Sequence, residues 1–144
     1  MKVVLVTGGF DPLHSGHIAF FQDARNHGEQ LWVGINSDDW LVRKKGKPFL
    51  PISERSCIID NLQMVDRVIS FDDSDDTAIQ AIHKAMNLGA EHVVFANGGD
   101  RTKDNIPELV FYTGHPKVSF KFGVGGTDKK NSSSWILEKY QKNT

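Results

Sequence analysis

The stretch "VVLVTGGFDPLHSGH", residues 3–17, decides how the chain is read. "VVLVT" (3–7) is a continuous aliphatic and β-branched run, the kind found in a strand buried on both faces. Two glycines leave that strand and Asp11 and Pro12 turn the chain. From about Ser15 an apolar pattern at Ile18, Phe21 and Ala24 predicts a helix, with Gly28 placed to end it. Bare backbone leading into the positive end of a helix is a seat for an anion. His14 and His17, three residues apart at the helix start, lie on one side and can both donate hydrogen bonds to phosphate oxygens. The spacing matches neither G-x-G-x-x-G nor G-x-x-x-x-G-K-[ST], which argues against a dinucleotide fingerprint and against a P-loop. Other uses of the two imidazoles stay open at this level: surface decoration, a core hydrogen bond, or zinc with Asp11 as a third ligand.

The same strand-to-helix alternation runs outward from this stretch. "LWVGIN" (31–36), "RVISF" (67–71), "HVVFA" (92–96) and "KVSFKFG" (117–123) read as further strands. A polar and basic loop, "SDDWLVRKKGKPFLP" (37–51), precedes a helix that Ser53 can cap and that buries Ile58, Ile59 and Leu62. An acidic turn, "DDSDD", leads to a helix carrying Ile79, Ile82 and Met86 and closed by Gly89. "IPELVFYTG" is a short helix ending at Gly114, and "SSSWILEKYQK" (132–142) is the last one. This order predicts the α/β class, with one domain over residues 1–144 and a doubly wound sheet of five parallel strands.

Such sheets bind ligands outside the carboxyl ends of their strands, so the segments leaving the strands hold the candidates. Gly8 and Gly9 let backbone N–H groups approach a ligand. Arg43, Lys44, Lys45 and Lys47 form a charge run that elsewhere would be a solvated face; on this rim it offers a phosphate ligand at Lys44 or Lys45. Asn97, Gly98, Gly99 and Asp100 follow the fourth strand. Either they make a plain turn, or the glycines support a base or ribose while Asp100 accepts ribose hydroxyls or positions a cation. One of Ser132, Ser133 and Ser134 caps the last helix. Trp40 and Trp135 flank these elements, either to cover a substrate or simply to pack.

Composition removes several classes. Seventeen basic against eighteen acidic side chains give a net charge of -1, so no whole-molecule field attracts nucleic acid or acidic lipid and an anion site must be local. A hydrophobic fraction of 39% with nine Phe and three Trp is that of a folded domain. The single cysteine, Cys57, excludes an intrachain disulfide framework and is expected to be a buried, inert thiol. The apolar run at residues 3–7 is far too short for a signal or a span, and no stretch approaches ~18 uninterrupted apolar residues, so a soluble cytoplasmic chain is expected.

"GGFDPLHSGH" also resembles the H-x-G-H signature of the nucleotidyltransferase α/β phosphodiesterase superfamily, in particular its cytidylyltransferase-type members, whose domain is Rossmann-like. The resemblance continues through "INSDDWLVRKKGKPFLPISER", a strand exit, basic loop and arginine-bearing helix, and through "VDRVISF", "FANGGD" and "NSSSWI" in order. It implies transfer of a nucleoside monophosphate from a nucleoside triphosphate to a phosphorylated small metabolite, with release of pyrophosphate and with Mg2+ accompanying the triphosphate. By this resemblance His14, His17 and Lys44 would be catalytic. Gly8, Gly9, Phe10, Asp11, Gly99, Asp100, Ser132, Ser133 and Ser134 would bind the nucleotide, and Lys45, Arg55 and Asp38 the second substrate. Asp11 would orient its loop or assist the magnesium ion, a turn-forming role being the plain alternative. For Arg55 the plain alternative is a surface pair with a glutamate.

Glycerol-3-phosphate cytidylyltransferases are similar through the first two thirds, but they carry an arginine before the Val-Asp pair and "RTEGIST" near the end. This chain has "QMVDRV" and "GGTDKKNSSS" there. The adenylyltransferase domain of bacterial heptose-1-phosphate nucleotidyltransferases is similar in "NSD", "KGKPFLP", "VISFDD" and "GGD". The resemblance therefore implies a sugar-phosphate adenylyltransferase-like enzyme using ATP. CTP-dependent transfer to glycerol-3-phosphate or a similar alcohol phosphate is the runner-up, and a nucleotide-binding protein without turnover is the reading from another class. A homodimer is expected on resemblance alone.

Overall fold

The computed structural model describes residues 1–99, 106–126 and 133–142. Among them run strands β1 (Lys2–Gly8), β2 (Gln30–Ile35), β3 (Arg67–Ser70), β4 (His92–Gly98) and β5 (Val118–Val124). They form one sheet in the order β3-β2-β1-β4-β5, parallel at every pairing, as the alternation predicts. Helices α1 (Ser15–Arg25), α2 (Asp38–Lys45), α3 (Ile52–Asp60), α4 (Ile79–Asn87) and α5 (Pro107–Phe111) occupy the connections, and α6 (Ser133–Lys142) follows β5.

β1 shows why the sheet is covered twice. Val3, Val4, Leu5 and Val6 have no exposed surface. Successive side chains of a strand point to opposite faces. Val3 and Leu5 accordingly pack with Ala81, Ile82 and Ala85 of α4, whereas Val4 and Val6 pack with Phe21 and Ala24 of α1 and Ile59 of α3. Each aliphatic side chain so buried contributes about 1.5–3 kcal/mol relative to exposure. The chain winds from β1 through β2 to β3, then returns to place β4 and β5 on the other side of β1. The exits of β1 and β4 therefore flank the point where strand order reverses, which is where open α/β sheets form a ligand crevice.

Five expectations are corrected. The basic segment after β2 is not a loop: residues Asp38–Lys45 form α2, capped by Ser37, whose hydroxyl accepts the Trp40 N–H at 3.1 Å. Asp38 and Asp39 in its first turn and Arg43, Lys44 and Lys45 in its last complement the helix dipole, so charge rather than an apolar stripe specifies this helix, and Leu41 alone in it is buried. In α3, Pro51 occupies the cap position and Ser53 lies inside the first turn. Its buried face is Arg55 and Ile59, one helical turn apart, while Ile58 is 40% exposed. That periodicity turns Cys57 outward, and the thiol is exposed rather than buried. Finally, α1 ends at Arg25 and Asn26 caps it in right-handed geometry. Gly28 serves packing instead, since a Cβ there would stand 2.8 Å from Val4 Cγ2 and 3.0 Å from the Lys2 carbonyl oxygen. No helix among the described residues is long and apolar enough to cross a membrane.

Candidate active site

The two histidines of "HSGH" are locked to the start of α1 by each other's backbone. His14 stands at the N-cap and its Nδ1 accepts the Gly16 N–H at 3.0 Å; His17, in the first turn, accepts the His14 N–H on its own Nδ1 at 3.3 Å. This reciprocal arrangement is a capping box with imidazoles in place of hydroxyl and carboxylate. A ring nitrogen that accepts a backbone N–H carries no proton, so in both neutral imidazoles the proton is on Nε2. The rings stack with centroids 3.8 Å apart. Burial, then the neighbouring His14 and Lys45, push the His17 pKa from 6.5 down to about 3. His17 is thus a neutral donor through its Nε2–H at any physiological pH.

The glycines before them meet a different demand from the one expected. A Cβ on Gly8 would lie 2.9 Å from the Phe10 ring, and one on Gly9 would lie 3.0 Å from Leu41 Cδ2 and 3.3 Å from Trp40 Cζ3. Glycine at both positions therefore makes room for the protein's own side chains. The peptide planes are fixed from the side of β2. Gly8 O accepts the Asn36 N–H at 2.9 Å and Gly9 O accepts Arg55 Nη1 at 2.9 Å, so both carbonyls turn toward the exit of β2. In a trans peptide the following N–H points the opposite way, and the N–H groups of Gly9 and Phe10 accordingly turn away from β2. Phe10 itself sits in the left-handed region, with φ of 51°, which costs about 1–2 kcal/mol for a residue with a Cβ.

Three buried charges hold this geometry, and none is a free ligand. The Arg55 side chain is fully buried. Its Nε donates to Leu50 O at 2.9 Å, Nη1 to Gly9 O and to Asn36 O at 2.7 Å, and Nη2 to Asp38 Oδ1 at 2.6 Å. It ties the exits of β1 and β2 to the segment before α3. The structure thus places Arg55 as a positioning residue rather than the substrate ligand or surface pair expected, and Asp38 as its counter-ion. Asp11 is buried, and its carboxylate accepts the N–H groups of Phe49 at 2.5 Å and Leu50 at 2.7 Å. Of its alternatives, orienting the loop is the one the contacts show. The third charge is Asp73, which the sequence did not single out from the run "DDSDD". It accepts from Asn36 Nδ2 at 3.0 Å, Ser37 N at 2.7 Å and Ser37 Oγ at 2.7 Å. Burial raises the Asp73 pKa, but the hydrogen bonds from Asn36 and Ser37 and the charge of Arg43 outweigh it and hold the carboxyl below its ordinary value.

α2 delivers the cations. Arg43 is anchored to the loop after β3 through Asp73 O at 2.8 Å and Asp76 Oδ1 at 3.0 Å. Lys44 Nζ lies 5.4 Å above the centre of the Trp40 ring, and Lys45 Nζ reaches Asp11 O at 3.4 Å. Lys45, expected as a substrate ligand, is the lysine whose charge reaches His17, whereas Lys44, expected as catalytic, rests on an aromatic face. Across the crevice Gly98 and Gly125 pack against Phe20 of α1, where a Cβ would approach that residue to 3.1 and 3.0 Å. Gly99 is exposed with φ of 62°. Asp100 and Ser132 lie outside the described residues, and Ser133 and Ser134 open α6.

Residues 5–110 match the family described as cytidylyltransferase-like. The bifunctional protein HldE of Enterobacter sp. (strain 638) is 36% identical over 112 residues, 69% of this chain and 24% of the relative. The protein of the same name from Blochmanniella floridana is 39% identical over 107 residues, 73% of this chain and 21% of the relative. The chain thus spans less than a quarter of the length of these curated relatives. Among solved structures, a lipopolysaccharide core biosynthesis protein from Thermoplasma volcanium GSS1 shares the fold with a TM-score of 0.63 at 23% identity, covering 91% of this chain and 99% of that one. A nicotinate-nucleotide adenylyltransferase-like structure from Vibrio parahaemolyticus does so with a TM-score of 0.67 at 12% identity, over 99% and 88% of the two chains.

Proposed function

The chain belongs to the cytidylyltransferase-like family, and from that premise we propose that it transfers a nucleoside monophosphate from a nucleoside triphosphate to the phosphate of a small metabolite, releasing pyrophosphate. The observation that carries this reading is the His14–His17 pair, held at the positive end of α1 by the bonds of each Nδ1 to backbone, which keep the His17 proton on Nε2. An oxygen of the acceptor phosphate attacks the α-phosphorus, the bond to pyrophosphate breaks, and negative charge grows on the oxygens between. Donors held in place before the reaction stabilise that charge without reorganising. Nothing in this scheme needs a general base, because the attacking phosphate is already anionic. Lys45 adds positive charge beside the same anion, and Lys44 would join it by leaving Trp40.

Magnesium is expected to enter with the triphosphate, held chiefly by phosphate oxygens and neutralising their charge. The described residues include no group of three or more His, Cys, Asp or Glu side chains that could hold a metal ion, and Asp11 has committed its carboxylate to Phe49 and Leu50. The residues described therefore do not form a resident metal cage, and no step is derived through one.

ATP with a sugar phosphate is the preferred substrate pair, supported by the similarity to the bifunctional HldE proteins over most of this chain. CTP with glycerol-3-phosphate or a similar alcohol phosphate is the second reading, favoured by the family's description. The test is pyrophosphate release from each common ribonucleoside triphosphate, with magnesium, against a panel of sugar, glycerol and amino-alcohol phosphates. Release with ATP and a sugar phosphate is the expected result; release with CTP alone selects the second reading. Triphosphate binding by calorimetry without release across the panel would overturn the transferase in favour of a nucleotide-binding protein.

A further inference from the structure

Phe10, in the β1 exit, builds its side chain against the histidine pair. Its backbone is left-handed, with φ of 51°, and this turns the ring back under Gly8, where it fills the space a Cβ would need. The ring is 7% exposed. It meets His17 edge to face, with centroids 5.0 Å apart and planes at 88°, and on another side meets Phe21 of α1 at 5.1 Å and 74°. His17 is therefore held between two rings of different kind, the stacked imidazole of His14 and the perpendicular ring of Phe10. A perpendicular aromatic contact fixes tilt as well as distance. Phe21 is itself fully buried in the core beneath, so the position of His17 is referred to the sheet rather than to a surface loop.

We propose that Phe10 is the positioning residue of His17: its ring sets the tilt of the imidazole and walls one side of it from water, so that Nδ1 stays on the His14 N–H and Nε2–H stays aimed at the anion. The left-handed backbone of Phe10 is the strain that this placement requires, and a bulky residue in that region of a loop calls for such a reason. Among the described residues, the charged groups that act on His17 are His14 at the helix cap and Lys45 from the end of α2, while the Asp11 carboxylate of the same exit is occupied by Phe49 and Leu50. His14 and Lys45 both lower the His17 pKa and so oppose a cation on its ring. Once the aromatic wall is removed, water can solvate that cation and the main obstacle to protonation goes with it. Protonation on Nδ1 would then break the bond to the His14 N–H and release the ring. The kinetic part of this inference rests on the proposed transferase reading; the structural part does not.

The experiment is an NMR titration of the histidine side chains in the full chain, comparing the parent with Phe10→Gly and Phe10→Leu. Glycine accepts the positive φ without strain, so Phe10→Gly removes the ring while favouring the loop conformation. Leucine keeps apolar bulk and loses only the perpendicular ring, and it serves if the glycine variant does not fold. In Phe10→Gly, the His17 pKa is expected to rise clearly above about 3 while staying below the ordinary histidine value of about 6.5, because His14 and Lys45 still lower it, and in Phe10→Leu to rise less. Turnover of Phe10→Gly should then fall to about half at the pH that equals the His17 pKa found by NMR, and about tenfold further for each pH unit well below it. The parent should show no such acid limb from this group, and nucleotide KM at about pH 8 should be little changed. An unchanged His17 titration in both variants overturns the inference. A shifted titration with no acid limb in turnover leaves Phe10 as the positioning residue and removes His17 from the proposed chemistry.

Discussion

The two ends of the sheet handle charge in opposite ways. At the amino end the pairs are open to water: Arg25 Nε meets Asp66 Oδ2 at 3.1 Å with side chains 38% and 33% exposed, and the N-terminal ammonium of Met1 pairs with an exposed Glu91. They close the start of the sheet, where Asp66 also accepts the Leu31 N–H. At the carboxyl end Arg55, Asp11 and Asp73 are buried and their polar atoms are spent on the backbone and polar side chains of the loops. Burying a charge is costly unless it is fully hydrogen-bonded. The carboxyl end accepts that cost because these charges tie together segments that leave different strands, Arg55 joining Gly9, Asn36 and Leu50. Charge at one end decorates a fold set by the core, and at the other it works beside apolar packing to fix the loops.

The largest expected effect of breaking this contrast is at Arg55. Arg55→Met leaves the carbonyls of Gly9, Asn36 and Leu50 without their donor and should destabilise the protein by about 3 kcal/mol, the scale of a broken buried pair, in denaturant unfolding. A loss within ~0.5 kcal/mol, the range of an ordinary surface change, would equate the two ends and refute the contrast. Next comes His17, whose replacement by alanine should reduce turnover about a hundredfold, the scale of one lost transition-state donor, with the circular dichroism spectrum retained. Near-parent rates would show that the buried frame holds something other than this donor.

Asp73→Asn ranks third, at about 1–2 kcal/mol at neutral pH, because an amide turns one acceptor into a donor facing Asn36 and Ser37. The carboxyl titrates below its ordinary 3.8 in the folded protein. Its contribution is therefore complete above about 3.8 and is lost as pH falls through the lower folded value. Urea melts of parent and variant should converge in strong acid, and a constant gap down to that range would locate the effect elsewhere. The smallest effect belongs to the amino end: Arg25→Ala should cost no more than about 0.5 kcal/mol and should shrink further in high salt. A larger, salt-independent cost would mean that the open pair, too, acts as frame.

How much of this was legible beforehand differs by region. The parallel sheet was, since uninterrupted aliphatic runs alternating with 3.6-residue patterns have few other solutions. The pairing of His14 with His17 was also legible, because both histidines lie within one turn of one helix and local spacing alone brings them together. α2 was not, because its sequence is polar nearly all round and only the Ser37 cap and the order of its charges announce a helix. Asp73 could not be told from Asp72, Asp75 and Asp76 by any local signal. What distinguishes it is its reach to Asn36 and Ser37 across a crossover. The outward turn of Cys57 could have been read from the spacing of Arg55 and Ile59, had an arginine been admitted to the buried face of α3.

By itself, then, the sequence determined the layers of this protein, the order in which they alternate, and the pair of imidazoles at the first strand's exit, all of which depend on neighbours within a few residues. Tertiary structure decided what Arg55, Asp11, Asp73 and Phe10 do. Each acts on backbone or rings brought to it by the closing of the sheet, and a charge or an aromatic ring in a sequence carries no mark of which distant group it will meet.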